Sequence, residues 1–381
     1  MKPLSWPAIA LLSLAAAGCY RNFGSGADLQ KLVEFDDRAA LGRDFFEDVN
    51  LSRPRSISCA SCHNPDHAFI DDRSNAVESA VSRGGDDLSL GDRNTPTITY
   101  AVFTPDFAYG QEAIGGLFAV GRASSLEEQA KGPFLNSIEM QMPDPASVID
   151  RILENPDYVE RMRDLYGAQI LDDKNAAYNA VADAISSFER TTTFASFDSK
   201  FDRVQSGHAK FTAQERDGER LFRSKGCVRC HHIGGDLPLF TNYKYENIGV
   251  PINSQVRLAN GKGLEFVDHG LLSNPAVNDN SQDGRFRVPT LRNVAVTAPY
   301  MHNGVFRDLK TVVHFYNTRD IVGAKNPETG QKWQPSEVTV NRVGGRRIGT
   351  LHASDREEDA IVAFLRTLTD ARYEHLSSPP R

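Results

Sequence analysis

Cys59-Ala60-Ser61-Cys62-His63 recurs in kind as Cys227-Val228-Arg229-Cys230-His231, and no other feature limits the fold as tightly. In C-x-x-C-H, two thiols stand close enough to bond both vinyl groups of one porphyrin, and the imidazole that follows is placed to ligate the iron. The alternatives are a zinc site, a thioredoxin-like redox pair or a disulfide within each motif. A zinc knuckle brings its two Cys pairs within roughly 15–20 residues of each other, whereas here a domain's length of chain separates them. A thioredoxin-type pair does not require the trailing His that both copies carry. The motifs therefore predict two covalently bound haem c groups, one on Cys59, Cys62 and His63, the other on Cys227, Cys230 and His231.

At 381 residues the chain is long enough for two domains, each able to bury its own core. Residues 1–19 read as a signal peptide, with Lys2, an apolar run from Ala8 to Ala17 and then Gly18-Cys19, too short a run to span a bilayer as a finished helix. Four of the five cysteines belong to the haem motifs. The fifth, Cys19, resembles the lipidated cysteine of a lipobox, although Ala16 stands where a large aliphatic residue is usual. Either form of processing predicts a periplasmic protein, anchored to the membrane if Cys19 is lipidated. A formal charge of −7 excludes a nucleic-acid binder by charge, and a mild acidic excess suits a basic redox partner as well as simple solubility.

Helix signals outnumber strand signals, so the expected fold class is mainly α. Ser124 and Ser125 with Glu127 and Glu128, Thr212 with Glu215, and Ser354 with Glu357 form capping boxes. Asp144-Pro145 opens a run to Asn155, Asn175 to Phe188 lacks breakers, and the last amphipathic helix runs through Leu368. Long stretches rich in Gly, Asn and Asp at 71–95, 232–288 and 320–350 suggest segments wrapped around cofactors. The expected boundary lies in Phe197–Gly207, which gives domains 20–200 and 201–381. The haem motif is the one repeat visible in the sequence.

Arg287-Val288-Pro289-Thr290-Leu291-Arg292-Asn293, Thr297-Ala298-Pro299-Tyr300-Met301-His302-Asn303-Gly304, Gly121-Arg122-Ala123-x-Ser125-Leu126-Glu127-Glu128-Gln129-Ala130 and Phe188-Glu189-Arg190-Thr191 together resemble the bacterial di-haem cytochrome c peroxidase and MauG family. The resemblance runs from about Leu41 to about Thr369. It implies two cytochrome c-like haem domains, a peroxidatic haem on His63 and an electron-transfer haem on His231. The family's second axial ligand to the electron-transfer haem, Met in typical peroxidases and Tyr in MauG-like members, falls at Tyr316. Leu309, Val312, Val313 and Tyr316 share one helical face on spacing alone. Met301 is the alternative ligand, and a phenolate oxygen would lower the iron's potential relative to a thioether.

The resemblance also places the peroxide chemistry. Typical members block the resting peroxidatic iron with a His 16 residues after the proximal one, and here that position is Ser79. The expectation is an open iron face, with Met140 or Met142 as the alternative distal ligand. Gln129, Pro133 and Glu139 match the family's distal residues, Glu139 as acid and base and Gln129 as hydrogen-bond donor to peroxide. Asn94 matches a calcium side-chain ligand, and Thr297 and Pro299 match two backbone-carbonyl ligands, although both stretches are also ordinary turn chemistry. Where the family has Phe-Trp-Asp-Gly-Arg, this chain has Phe118-Ala119-Val120-Gly121-Arg122. Without the bridging Trp, electron exchange needs another route, through Phe118 or a nearby aromatic, or is slower. The leading expectation is a peroxidase fed by a small redox protein, a cytochrome c or a cupredoxin. Alternatives are an enzyme that oxidises Trp or Tyr of a partner protein, and a non-catalytic di-haem carrier or sensor.

Overall fold

The computed structural model describes residues 29–235, 237–344 and 348–377, so residues 1–19, expected to be a signal peptide, and with them Cys19, lie outside the described residues. Two crossed helix pairs frame the molecule. Asp37–Glu47 packs across Lys174–Glu189 in the first half, and Ala213–Ser224 across Asp355–Arg366 in the second. Each crossing falls on a glycine. A Cβ on Gly42 would stand 1.8 Å from the Ala184 carbonyl oxygen, and one on Gly218 would stand 1.9 Å from that of Ala360. Only a residue without a side chain lets two helix backbones approach so closely.

Local sequence explains most helix ends. Thr212 with Glu215 and Ser354 with Glu357 form reciprocal capping boxes, as predicted, while Ser125 caps Leu126–Leu135 and the Glu128 carboxylate instead accepts from Ser124. The run opened by Asp144-Pro145 ends at Leu153. Asn155 then caps an unpredicted helix, Pro156–Tyr166, whose proline occupies the tolerated first turn. The long segments at 71–95, 232–288 and 320–350 carry only short elements, among them the helix Ser254–Ala259. Two-residue ladders pair Ala108–Tyr109 with Ala113–Ile114 and Tyr245–Glu246 with Phe286–Arg287, and a bridge from Ile114 to Lys244 joins them across the halves. The fold is mainly α, and no helix among the described residues is long and apolar enough to cross a membrane.

The repeat extends well beyond the haem motif, contrary to the sequence expectation. After each motif a phenylalanine, Phe69 or Phe240, takes a left-handed backbone with φ of 56° or 53°. A threonine hydroxyl then pins the preceding carbonyl, Thr97 to Ala68 at 2.6 Å and Thr290 to Leu239 at 2.6 Å. Three residues later each chain turns through a second left-handed residue, Tyr100 (φ 62°, ψ 10°) or Asn293 (φ 63°, ψ 9°). Asparagine tolerates that conformation, whereas a tyrosine there carries strain on the order of 1–2 kcal/mol. Identity between these stretches hardly goes beyond Phe69 with Phe240 and Pro96-Thr97 with Pro289-Thr290, so the repeat lives mostly in backbone geometry that side-chain patterning does not report.

Phe197–Gly207 is structured. Lys200–Gln205 is helical, and Phe201 packs inside the second core with Phe240 and Phe364. Further on, the Ala371–Leu376 turn reaches back to the first half. Tyr373 donates to the Pro65 carbonyl at 2.8 Å, and the Arg372 guanidinium lies 5.5 Å from the Phe69 ring centroid while donating to the Thr193 carbonyl.

Candidate functional site

The two C-x-x-C-H segments are built alike. Cys59–Cys62 forms one helical turn and Cys227–Arg229 a tighter one, and the His63 and His231 amides close them onto the carbonyls of Cys59 and Cys227, each at 2.9 Å. The turn sets both thiols and the imidazole on one side. Each histidine's Nδ1 lies against a backbone carbonyl, His63 to Phe69 at 3.0 Å and His231 to Phe240 at 2.9 Å. An Nδ1–H donated to a carbonyl fixes the ring and leaves Nε2 as the lone-pair donor a metal needs. Burial lowers both imidazoles from their ordinary value, His231 to about 4, so they are neutral at physiological pH. It pushes the Cys62 and Cys227 thiols up to about 12. Neutral imidazoles and four partly buried cysteines, in no disulfide among the described residues, suit porphyrins held by thioether bonds.

On the far side of the first pocket the chain folds back on itself. Pro133, inside the helix Leu126–Leu135, has no N–H to offer the Gln129 carbonyl, and its own carbonyl accepts from Asn136 and Met140 as the loop returns. That loop carries Glu139 close enough to Cys59 and Cys62 for its charge to act on both thiols. Asn136 Nδ2 donates to Glu139 Oε1 at 2.9 Å. Burial raises the Glu139 carboxyl above the usual range, and the positive charge of Arg122 works against that rise. Arg122 itself lies 3.5 Å over the Phe118 ring. Gln129 is half-buried on the same helix, and its side-chain amide forms no hydrogen bond among the described residues.

Ser79 and His67 each have a partner close by in the chain. Ser79 donates to the Arg73 carbonyl at 3.0 Å within its own loop. His67 Nδ1 lies 3.1 Å from the Asn64 amide and 3.2 Å from Asp72. Met140 and Met142 are buried in the first core, against which Cys59 and Cys62 also pack.

The second pocket is closed by a helix. Leu309 and Val313 bury the inner face of Leu309–Thr318, and Tyr316 is near enough to Cys230 and Cys227 for their charges to raise its phenol further above the level set by burial. The phenol oxygen forms no hydrogen bond among the described residues. Met301, in a left-handed turn, packs against the same second core as Cys227. Trp333 belongs to this core too, donating to Thr318 Oγ1 at 3.0 Å, and does not stand between the halves.

Asn94 meets the Thr297–His302 stretch directly, its amide donating to the His302 carbonyl at 2.8 Å and its Nδ2 to Ala80 at 3.1 Å. The Asn94 side-chain oxygen and the Thr297 and Pro299 carbonyls accept no hydrogen bond among the described residues. Nearby, a bidentate Arg93–Asp268 pair (2.8 and 2.7 Å) joins the two halves, and within the second half buried Arg257 pairs with Glu337 at 3.0 Å. Residues that sequence reasoning missed are Phe69 and Phe240, which act through backbone carbonyls, and Arg287. Arg287 is half-buried at the junction, its backbone amide donating to the Ala119 carbonyl at 3.0 Å and its guanidinium having the Phe118 carbonyl, 3.4 Å away, as its only hydrogen-bond partner among the described residues. A guanidinium so placed suits the carboxylate edge of a porphyrin.

Duplicated proximal histidines and a carboxyl-lined first pocket beside a phenol-lined second define a class: c-type oxidoreductases with two inequivalent haems. The chain belongs to the di-haem cytochrome c peroxidase family, whose model matches residues 36–210. It is 46% identical to the methylamine utilization protein MauG of Paracoccus denitrificans, over 91% of this chain and 92% of that protein. It is 31% identical to the cytochrome c551 peroxidase of Pseudomonas aeruginosa, over 80% and 76%. Its fold superposes on the crystal structure of the diheme peroxidase BthA from Burkholderia thailandensis with a TM-score of 0.78 and 32% identity, covering 88% and 87% of the two chains.

Proposed function

We propose that this chain reduces hydrogen peroxide at the His63 side, with electrons relayed through the His231 side from an external redox protein. The observation that carries the reading is the asymmetry of the pockets, a buried carboxyl beside Cys59 and Cys62 against a phenol beside Cys227 and Cys230. Haem iron, when bound, supplies the centre at which the O–O bond breaks and electrons enter. The residues supply the protons. Glu139, its pKa raised by burial, takes the proton from the inner peroxide oxygen and returns it to the outer one, which departs as water. Gln129 donates a hydrogen bond to orient peroxide, and Arg122 stabilises negative charge as it develops. Tyr316 would ligate the second iron, and the Asn94 side chain with the Thr297 and Pro299 carbonyls would supply oxygen ligands to a calcium ion. The haem domains divide at residues 200 and 201, and the mature protein works in the periplasm, tethered there if Cys19 is lipidated.

A second reading replaces the redox protein by a partner whose Trp or Tyr is oxidised. Tyr316 favours it, since an anionic oxygen ligand stabilises an oxidised iron, and so does the 46% identity to MauG. The ferric holoprotein mixed with peroxide, with and without a reduced small cytochrome, separates the readings. Catalytic oxidation of the cytochrome supports the first, a long-lived spectral change without turnover supports the second, and an unchanged spectrum sinks both.

A further inference from the structure

The proximal sides of the two pockets are joined by an unbroken run of buried contacts. Phe69, whose carbonyl holds His63, stacks on Phe194 with centroids 4.3 Å apart. The Phe194 carbonyl accepts from the Tyr100 amide at 2.8 Å. The Tyr100 ring meets Phe197 at 4.9 Å, and the Arg292 guanidinium lies 5.3 Å from the Tyr100 centroid, 5.1 Å from Phe197 and 5.6 Å from Phe240. Phe240 in turn holds His231 through its carbonyl. Tyr100 is the one phenol in the run. Its hydroxyl donates to Asp370 Oδ1 at 2.5 Å and accepts from the Phe197 amide at 3.1 Å. Asn293 Nδ2 fixes the other Asp370 oxygen at 2.9 Å, and Asp202 neutralises Arg292 through a bidentate pair at 2.6 and 2.9 Å. The residue also occupies a left-handed turn where the second half places Asn293, so a strained phenol stands where a smaller side chain makes the same turn.

We propose that Tyr100 is the redox relay between the two haem sites, passing an electron and a proton together. The inference rests on the peroxide-driven reading above. Tyr100 gives one electron toward the peroxide-oxidised haem centre on the His63 side and its hydroxyl proton to Asp370 Oδ1. It is left as a neutral phenoxyl radical, still hydrogen-bonded to the Phe197 amide. An electron from the haem on the His231 side refills it, and the proton returns from Asp370. The Arg292 cation close to the ring disfavours a positively charged tyrosine, so electron loss is tied to the short proton hop.

The test mixes ferric holoprotein with one equivalent of hydrogen peroxide, followed by stopped-flow absorbance at both haem bands and by freeze-quench electron paramagnetic resonance with ring-deuterated tyrosine. In Tyr100→Phe the first haem should respond at the parent rate while the response of the second slows at least about tenfold, the deuterium-sensitive radical signal disappears, and the slowing that heavy water imposes on the parent chain is lost. Asp370→Asn, which keeps the ring and removes the base, should also slow the second response, and it serves if Tyr100→Phe does not fold. Phe118→Leu should leave the exchange unchanged. The relay is overturned if the Tyr100 and Asp370 variants exchange at the parent rate, or if Phe118→Leu alone slows it. A parent chain in which peroxide alters neither band overturns the peroxide reading and this inference with it.

Discussion

The first and second halves share one scaffold and differ where chemistry is decided. Both cross two helices at a glycine, close a C-x-x-C-H turn on itself, and hold the histidine by a left-handed phenylalanine carbonyl. Beyond that they part. Near its motif the first half places a helix containing Pro133 and a returning loop that carries Glu139, and the second places the helix that carries Tyr316. The backbone thus supplies the histidine arrangement twice, and on the proposed function it is one polar side chain beside each motif that separates a centre handling protons from one passing only electrons.

Replacing Glu139 attacks that difference most directly. Glu139→Gln should lower kcat/KM for peroxide by about 10²–10⁴-fold, as expected for a lost acid–base group, with the spectrum of the His231 haem unchanged; an unaffected rate constant would remove Glu139 from the chemistry. In the parent chain the burial-raised pKa of Glu139 has a definite sign. The carboxylate that must accept a proton is depleted as pH falls through that value, so kcat/KM should rise from acid toward neutral pH, and this rise should vanish in the Gln variant.

The opposite wall is tested by Tyr316→Met, which should raise the reduction potential of the second haem by a sizeable fraction of the roughly 0.8 V that axial ligands span. Potentiometry with no movement of that couple would mean that Tyr316 is not a ligand. The shared scaffold is tested last. Gly42→Ala and Gly218→Ala each force a methyl into a carbonyl of the crossing helix and should each cost about 1–3 kcal/mol, seen as a lower melting temperature. If each half keeps its own core, Gly42→Ala should perturb the His63 haem first and Gly218→Ala the His231 haem. Identical spectral effects would show that the two cores act as one.

What could be read from the chain depended on how local its cause was. Thr212 with Glu215 and Ser354 with Glu357 announced their helices because a capping box is complete within four residues. The spacing of Leu309, Val312, Val313 and Tyr316 pointed to one shared face, of which Leu309 and Val313 are buried and Val312 and Tyr316 half-buried, and only the resemblance to a family said what stands opposite it. Glu139 and Gln129 were chosen in the same way, since nothing in their immediate sequence distinguishes them from solvated residues. The phenylalanine carbonyls, the paired left-handed turns and the Tyr100–Asp370 contact were invisible. The first two are backbone conformations, and the last joins residues 270 positions apart in the chain.

The Ala371–Leu376 turn carries a further consequence for how such a protein is made. Tyr373 and Arg372, at the far end of the second half, fasten the Pro65 and Phe69 segment behind the first histidine. A ribosome delivers that fastener only after both C-x-x-C-H motifs have been synthesised. The earlier-encoded motif therefore waits for the end of the chain before these contacts can form.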